Sequence, residues 1–180
     1  MNGKEQAINK TKAFLSGDQK GILITGTHQY KKHILAMAVI DKCYKNAHIL
    51  VRTNSMSNIA NREFFGKVGV EKQPKVGEQI KIGNNYYEFD TFNNRATWYK
   101  TSNRFDFAIV YPIDYLAREI KTEPIEDIVE HKGIMKLFLC SWTDAANTTY
   151  SMFEDYFQEH IIYDAEEEDL AYHKRVLGCE

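Results

Sequence analysis

The chain predicts an α/β fold, a largely parallel sheet flanked by helices with an added β-hairpin. Three observations carry that expectation. Short, almost wholly apolar runs ("GILIT", "HILVRT", "FDFAIVY", "IMKLFLC") recur along the sequence, and strands buried on both faces read this way. Segments with apolar residues at helical spacing lie between them, the alternation of a parallel sheet with crossover helices. One stretch, 75–92, instead alternates apolar and polar residues on both sides of Gly83-Asn84-Asn85. That is a hairpin signature, because glycine and asparagine tolerate the positive φ angles of tight turns.

The elements follow in order. Residues 2–16 read as a helix with a stripe of Ala7, Ile8, Ala13 and Phe14. Gly21–Thr25 is a short buried strand. Residues 32–45 give the strongest helix, with Ile34, Leu35, Ala38, Val39 and Tyr44 on one face. His48–Thr53 is again a buried strand, and 57–65 a short helix. After the hairpin, 97–103 is helix or loop, and 105–111 and 134–140 are two further apolar strands. Between these strands Pro124 opens a helix over 125–131. Residues 148–160 read as an aromatic-rich helix burying Met152, Phe153, Tyr156 and Phe157, and 161–164 as a short strand. A last helix, about 165–177, has acids in its first turn and Lys174-Arg175 in its last, as the helix dipole favours.

The bulk numbers bound the function. A chain of 180 residues, 43% hydrophobic and 27% charged, suits one ordinary globular domain spanning 1–180. No apolar run is long enough to span a bilayer, and the N-terminus is too polar for a signal peptide, so a cytoplasmic protein without membrane contact is expected. The three cysteines are odd in number and widely spaced, which implies neither a disulfide framework nor a zinc site. Cys43 and Cys140 read as buried small hydrophobes. The histidines form no H-x-x-x-H pair, and no metal site or cofactor is expected. Net charge is only −2, but residues 1–104 carry 17 Lys+Arg against 8 Asp+Glu while 105–180 carry 6 against 17. Such asymmetry hints at polyanion binding by the basic part, unless the two signs mix on the folded surface.

The turns after four apolar runs carry the chemistry. Gly26, Thr27, Lys31, Lys32 and His33 lie between the first strand and the strongest helix. Counted from Gly26 against G-x-x-x-x-G-K-[ST], Lys31 takes the second glycine, Lys32 the lysine and His33 the hydroxyl. Cations at a helix start suit an anion, and they equally suit a solvated turn. Arg52, Thr53, Asn54 and Ser55, with Asn58 and Arg62 beyond, suit phosphate and sugar contacts, or a plain helix cap. In "NNRATWYKTSNR", Arg95, Trp98, Lys100 and Arg104 interleave cations with aromatics, a pattern that can stack bases along a single strand.

In order and spacing these turns resemble the first RecA-like domain of superfamily 2 helicases, from about residue 20 to 164. "HILVRTNS" is similar to the strand and turn that contact the nucleic-acid backbone, "FDFAIVYPID" to the metal-binding motif, "KLFLCSWTD" to the strand that couples the two sites, and "YFQEHIIYD" to the stretch that closes the domain. The resemblance implies a P-loop NTPase/RecA-like fold whose catalytic positions have changed. Lys31 stands where a glycine wraps the phosphate, His33 where a hydroxyl ligates magnesium, Tyr111-Pro112 where an Asp-Glu pair would stand, and Trp142 within the coupling motif. Asp114 is out of register for a metal. The resulting expectation is a catalytically inactive helicase-like domain that binds nucleic acid (DNA or RNA), a protein partner, or both. A lone first domain without room for a second is expected to act by occupancy, as a phage or mobile-element accessory protein would. The alternative is a divergent nucleotide-dependent enzyme using Lys32, His33 and Asp114, with Asp114 orienting His33. A third option is self-association of the basic and acidic regions.

Overall fold

The computed structural model describes residues 2–142 and 148–178. Thr143 and Asp144 of the "SWTD" turn, and Cys179, lie outside them. The described chain runs α1 (Lys4–Ser16), β1 (Gly21–Thr25), α2 (Lys32–Cys43), β2 (His48–Thr53), β3 (Ile80–Ile82), β4 (Asn85–Thr91), α3 (Arg95–Trp98), β5 (Phe107–Val110), α4 (Ile113–Glu119), α5 (Glu123–His131), β6 (Lys136–Cys140), β7 (Glu159–Ile162) and α6 (Leu170–Leu177). Seven strands form one sheet in the order β3-β4-β2-β5-β6-β1-β7. Every pairing is parallel except β3 with β4. The hairpin expected over 75–92 is therefore joined differently from a plain antiparallel addition: its second strand lies parallel beside β2, and only β3 is reversed.

Alternate strand residues face opposite sides. Ile22, Ile24, Ile49, Val51, Phe107, Ile109 and Phe138 pack with α1 and α2. Leu23, Leu50, Ala108, Val110, Leu137 and Leu139 pack with α4, α5 and Phe153. α2 is buried more fully than an amphipathic stripe predicts. Lys32, His33, Ala36, Met37 and Ile40 are inside while Ala38 is exposed. Cys43, at its end, is exposed, contrary to the sequence reading, whereas Cys140 is buried.

Two expected helices are absent in that form. Residues 57–65 hold only the end of a 3-10 turn, Met56–Asn58, followed by irregular chain, with a second such turn at Gly66–Val68. The aromatic segment is a 3-10 helix at Ser151–Tyr156 that buries Phe153 but neither Met152, Tyr156 nor Phe157. The acids 166–169 precede the last helix instead of opening it, and Asp169 caps it by accepting from the Tyr172 amide at 2.9 Å. No described helix is long and apolar enough to cross a membrane.

Buried charge organises the hairpin side of the sheet. Arg52 on β2 is 0% exposed and donates from Nε and Nη2 to the two Asp90 carboxylate oxygens, each at 2.7 Å. Its Nη1 donates to Asp127 Oδ2 at 2.8 Å and the Pro124 carbonyl at 2.7 Å, and its guanidinium lies 4.4 Å from the Trp98 ring centre. Two lysines close helix ends. Lys132 Nζ donates to the Trp98, Thr101 and Ser102 carbonyls, and Lys136 Nζ to those of Phe14, Gly17 and Gln19.

The charge asymmetry of the sequence becomes an asymmetry of faces. α1 and α2, with Lys31 and Lys45 at the ends of α2, display Lys4, Lys10, Lys12 and Lys42 against Glu5 and Asp41. On the other face, α4, α5 and the 3-10 helix display Glu119, Glu123, Glu126, Glu130, Glu154 and Asp155 against Arg118 and Lys121. The signs are largely segregated between these helical layers, with Glu167 and Glu168 lying against Gly3 and Lys31 at the start of the basic one.

Arg52→Ala is expected to cost about 3–5 kcal/mol in urea unfolding, because it strands the buried Asp90 carboxylate. Arg52→Lys will not restore the loss, since an ammonium cannot reproduce the two-pronged contact. At the end of α4, Ile120 holds φ +53° and is 81% exposed. Ile120→Gly is expected to stabilise the fold by about 1 kcal/mol in the same assay, because glycine adopts that left-handed conformation without a Cβ clash.

Candidate functional site

All the parallel strands end on one rim, where α/β sheets hold ligands. After β1 the chain turns at Gly26 with φ +116°, and a Cβ there would lie 2.3 Å from the Tyr163 carbonyl oxygen. The following loop is stitched to the chain leaving β7. The Thr27 amide donates to Asp164 Oδ1 at 2.9 Å and the His28 amide to the Tyr163 carbonyl at 3.2 Å. Thr27 Oγ1 accepts from the Ala165 amide at 2.9 Å and meets His173 Nδ1 at 2.8 Å. Two amides of the loop, those of Thr27 and His28, are thus engaged within the chain, one of them by a carboxylate.

Lys32 turns inward. Its side chain is fully buried, and Nζ donates to the Gly26 carbonyl and, at 3.3 Å, to that of Trp142. Lys31 stays partly exposed and pairs with Glu168, which also lies 3.2 Å from His28 Nε2 and accepts from the Tyr163 hydroxyl at 3.4 Å. The hydrogen bond from Lys31 holds the Glu168 carboxyl below its usual range. Burial, with Lys31 beside it, lowers the His28 imidazole. A mixed cavity of about 350 Å³ lies against this group, with Tyr30, Lys67 and Tyr172 on its wall.

His33 is an interior residue. Its Nε2 donates to the Phe64 carbonyl at 2.8 Å, fixing the tautomer, and its ring stacks on Tyr111 with centres 3.8 Å apart. Burial drives its pKa down to about 3, so it is neutral at physiological pH. The expectation that Asp114 orients His33 is not met. β6 stands between β1 and β5, His33 Nδ1 has no hydrogen bond among the described residues, and Asp114 accepts from the Trp142 amide. Lys32 and Asp114 do meet the same residue, Trp142, through its carbonyl and its amide.

At the end of β5 the place of a metal-binding pair is taken by Tyr111, joined to Pro112 by a cis peptide. Four buried polar atoms gather where β5 and β6 end near α2: Tyr111 Oη, Ser141 Oγ, Trp142 Nε1 and His33 Nδ1 have no hydrogen-bond partner among the described residues. All four belong to groups neutral at pH 7. No set of three His, Cys, Asp or Glu that could hold a metal ion occurs among the described residues.

The second expected group divides. Arg52 lies inside the protein, held by Asp90 and Asp127, and does not reach the rim. Thr53 is buried as well, its carbonyl accepting from the Phe92 amide. Asn54 and Ser55 are half-exposed and Arg62 exposed, and Ser55 Oγ accepts from the Ser57 amide as a cap. The third group divides too. Trp98 is buried, its Nε1 donating to the Thr91 carbonyl at 2.7 Å. Arg95 is 68% exposed and 3.5 Å from Glu123. Lys100 is exposed, while Arg104 is exposed beside a cavity of about 500 Å³ at the opposite rim, with His48 and Asp106. The interleaved stretch therefore makes no single patch. Sequence reasoning missed Asp164, Glu168, His173 and Ser141, whose parts arise from contacts across the chain.

His33 generates a pH test. The folded pKa is depressed below the ordinary 6.5, so its contribution to stability is full above 6.5 and is lost as pH falls toward 3. Unfolding free energy is expected to drop by up to about 1.4 kcal/mol per pH unit across that window from this group. In His33→Gln that part of the slope vanishes in denaturant titrations at stepped pH.

No family profile matches the chain, and no curated protein matches it in sequence. Solved structures do match. The large terminase of a thermophilic bacteriophage, in complex with ADP, superposes with a TM-score of 0.56 at 10% identity, over 95% of this chain and 48% of that one. The same terminase in complex with ATP-gamma-S gives 0.55 at 8% identity, over 87% and 44%. This chain thus spans about half the length of the structures it matches. At such identities the likeness is one of fold: the chain has the α/β, P-loop NTPase/RecA-like architecture, a mostly parallel sheet with one antiparallel pair.

Proposed function

We propose that this chain is a P-loop-like domain that does not hydrolyse nucleotide and that works by binding nucleic acid through exposed cations of its basic N-terminal part, residues 1–104. One observation carries the reading: Lys32, the residue in the phosphate-lysine position, is buried at 0% exposure and donates to the carbonyl of Gly26, in its own loop. The chemistry around it agrees. Thr27 and His28 direct their amides to Asp164 and Tyr163, and the end of β5 offers a buried phenol and a proline where magnesium would require carboxylates. A phenol held in protonated form by burial is neither a hard-cation ligand nor a base for water.

The superfamily 2 helicase likeness and a role as a phage or mobile-element accessory belong to the same proposal. The matched structures come from a bacteriophage protein, which supports the second. Binding would fall to surface cations and short polar groups, Asn54, Ser55, Arg62, Arg95 and Lys100, which suit phosphate contacts independent of base sequence.

Anisotropy with short single- and double-stranded oligonucleotides is the test. Affinity should fall steeply with salt, and Arg62→Ala or Arg95→Ala should each lower the log–log slope by about 1. Binding unchanged across salt would remove the polyanion reading. Magnesium-dependent ATP turnover abolished by Lys32→Ala would overturn the non-hydrolysing one and favour the enzyme alternative.

A further inference from the structure

Two surfaces on opposite faces of the sheet are opposite in charge and each leaves apolar side chains uncovered. Between α1 and α2 lies a groove of about 320 Å³ with Ile8, Ile34 and Ala38 in its floor and Lys4, Lys31 and Lys42 around it. Lys4 and Lys42 have no carboxylate partner among the described residues. On the other face, α5 presents Val129, 48% exposed, beside Glu130. Met135, 49% exposed, stands just before β6, with Asp155 of the 3-10 helix and Lys20 lining the same shallow cleft. Glu126 and Glu130 are four residues apart and share one side of α5. This ridge is an acidic helix with one uncovered apolar side chain, Val129, next to the exposed Met135. The groove is an apolar trough edged by two uncompensated lysines, Lys4 and Lys42, and by Lys31, which pairs with Glu168.

We infer that the α5 ridge of one copy docks in the α1–α2 groove of a second copy, head to tail. The occupant is argued from complementarity within one sequence. At nine residues α5 is about 13 Å long and can lie along α2, whose twelve residues span about 18 Å. Apolar contact of Val129 and Met135 with the trough supplies affinity. Exposed ion pairs add little energy individually, and here they set register and orientation and speed encounter. The two surfaces differ and lie on opposite faces, so the contact is heterologous: each bound copy leaves a ridge and a groove open, and assembly proceeds to a ring or a growing stack. The basic region then serves a protein neighbour, whether or not it also meets nucleic acid.

Light scattering on the full chain, without nucleic acid, tests this independently of the polyanion reading. The wild type should show a mass that rises with concentration and falls at high salt. Lys4→Glu with Lys42→Glu, and separately Glu130→Lys with Asp155→Lys, should each give the mass of one chain, with unchanged circular dichroism and melting. A 1:1 mixture of the two double variants should associate again, because reversed ridge meets reversed groove and native ridge meets native groove. A wild type that stays at one chain mass would overturn the inference. So would double variants that still assemble, or a mixture that does not.

Discussion

A guanidinium sealed inside the protein sets the position of everything on the hairpin side of this sheet. Arg52 is fixed by Asp90 of β4, by Asp127 and the Pro124 carbonyl of α5, and by the Trp98 ring of α3. Taking such an ion from water costs several kcal/mol, and only a full complement of well-aligned acceptors offsets it. That requirement makes the arrangement specific. β4 must lie parallel to β2 for Asp90 to face Arg52, and their pairing puts the two residues side by side. α5 must begin where Pro124 can offer its carbonyl. The acidic outer side of that helix is aimed outward as a consequence.

At the other side of the sheet the governing constraint is satisfaction of backbone groups. A glycine-led turn into a helix leaves amides that need acceptors. Here the chain leaving β7 answers two of them, those of Thr27 and His28, through Asp164 and Tyr163, and the buried ammonium of Lys32 answers the carbonyls of Gly26 and Trp142. The rim beyond carries a phenol, a hydroxyl, an indole and a neutral imidazole, with the carboxylates of Asp114 and Asp164 engaged by the Trp142 and Thr27 amides. A mobile-charge reaction such as phosphoryl transfer gains most from fixed charges and a metal at this place.

How far the fold can be read from sequence depends on which forces are local. β1 and β2 are legible to the residue, because "GILIT" and "HILVRT" are apolar runs bounded by turns, and the hairpin shows in its alternation and its Gly83-Asn84 turn. α4 is not, since "IDYLARE" follows a proline and is too short to show a period. The segments 57–65 and 148–160 have helical apolar spacing but settle into 3-10 turns and irregular chain, their shape decided by packing of Ile59, Phe65 and Phe153 into the two cores. Of the candidate site, the position of the loop after β1 can be read directly. The inward turn of Lys32, the stack of His33 on Tyr111 and the burial of Arg52 and Trp98 are invisible in the sequence, because each is fixed by partners far along the chain. The separation of charge onto two faces is visible only as a gradient along the chain.

Lys132 and Lys136 have a chemical consequence of their own. Each ammonium directs three N–H bonds at main-chain carbonyls and is shut away from solvent, as water would be in an interior cavity. An amine so held has no lone pair to offer an electrophile. Acylating reagents and acetyltransferases will mark Lys4, Lys10, Lys12 and Lys42 while these two stay silent, and their modification will report that the chain has come undone.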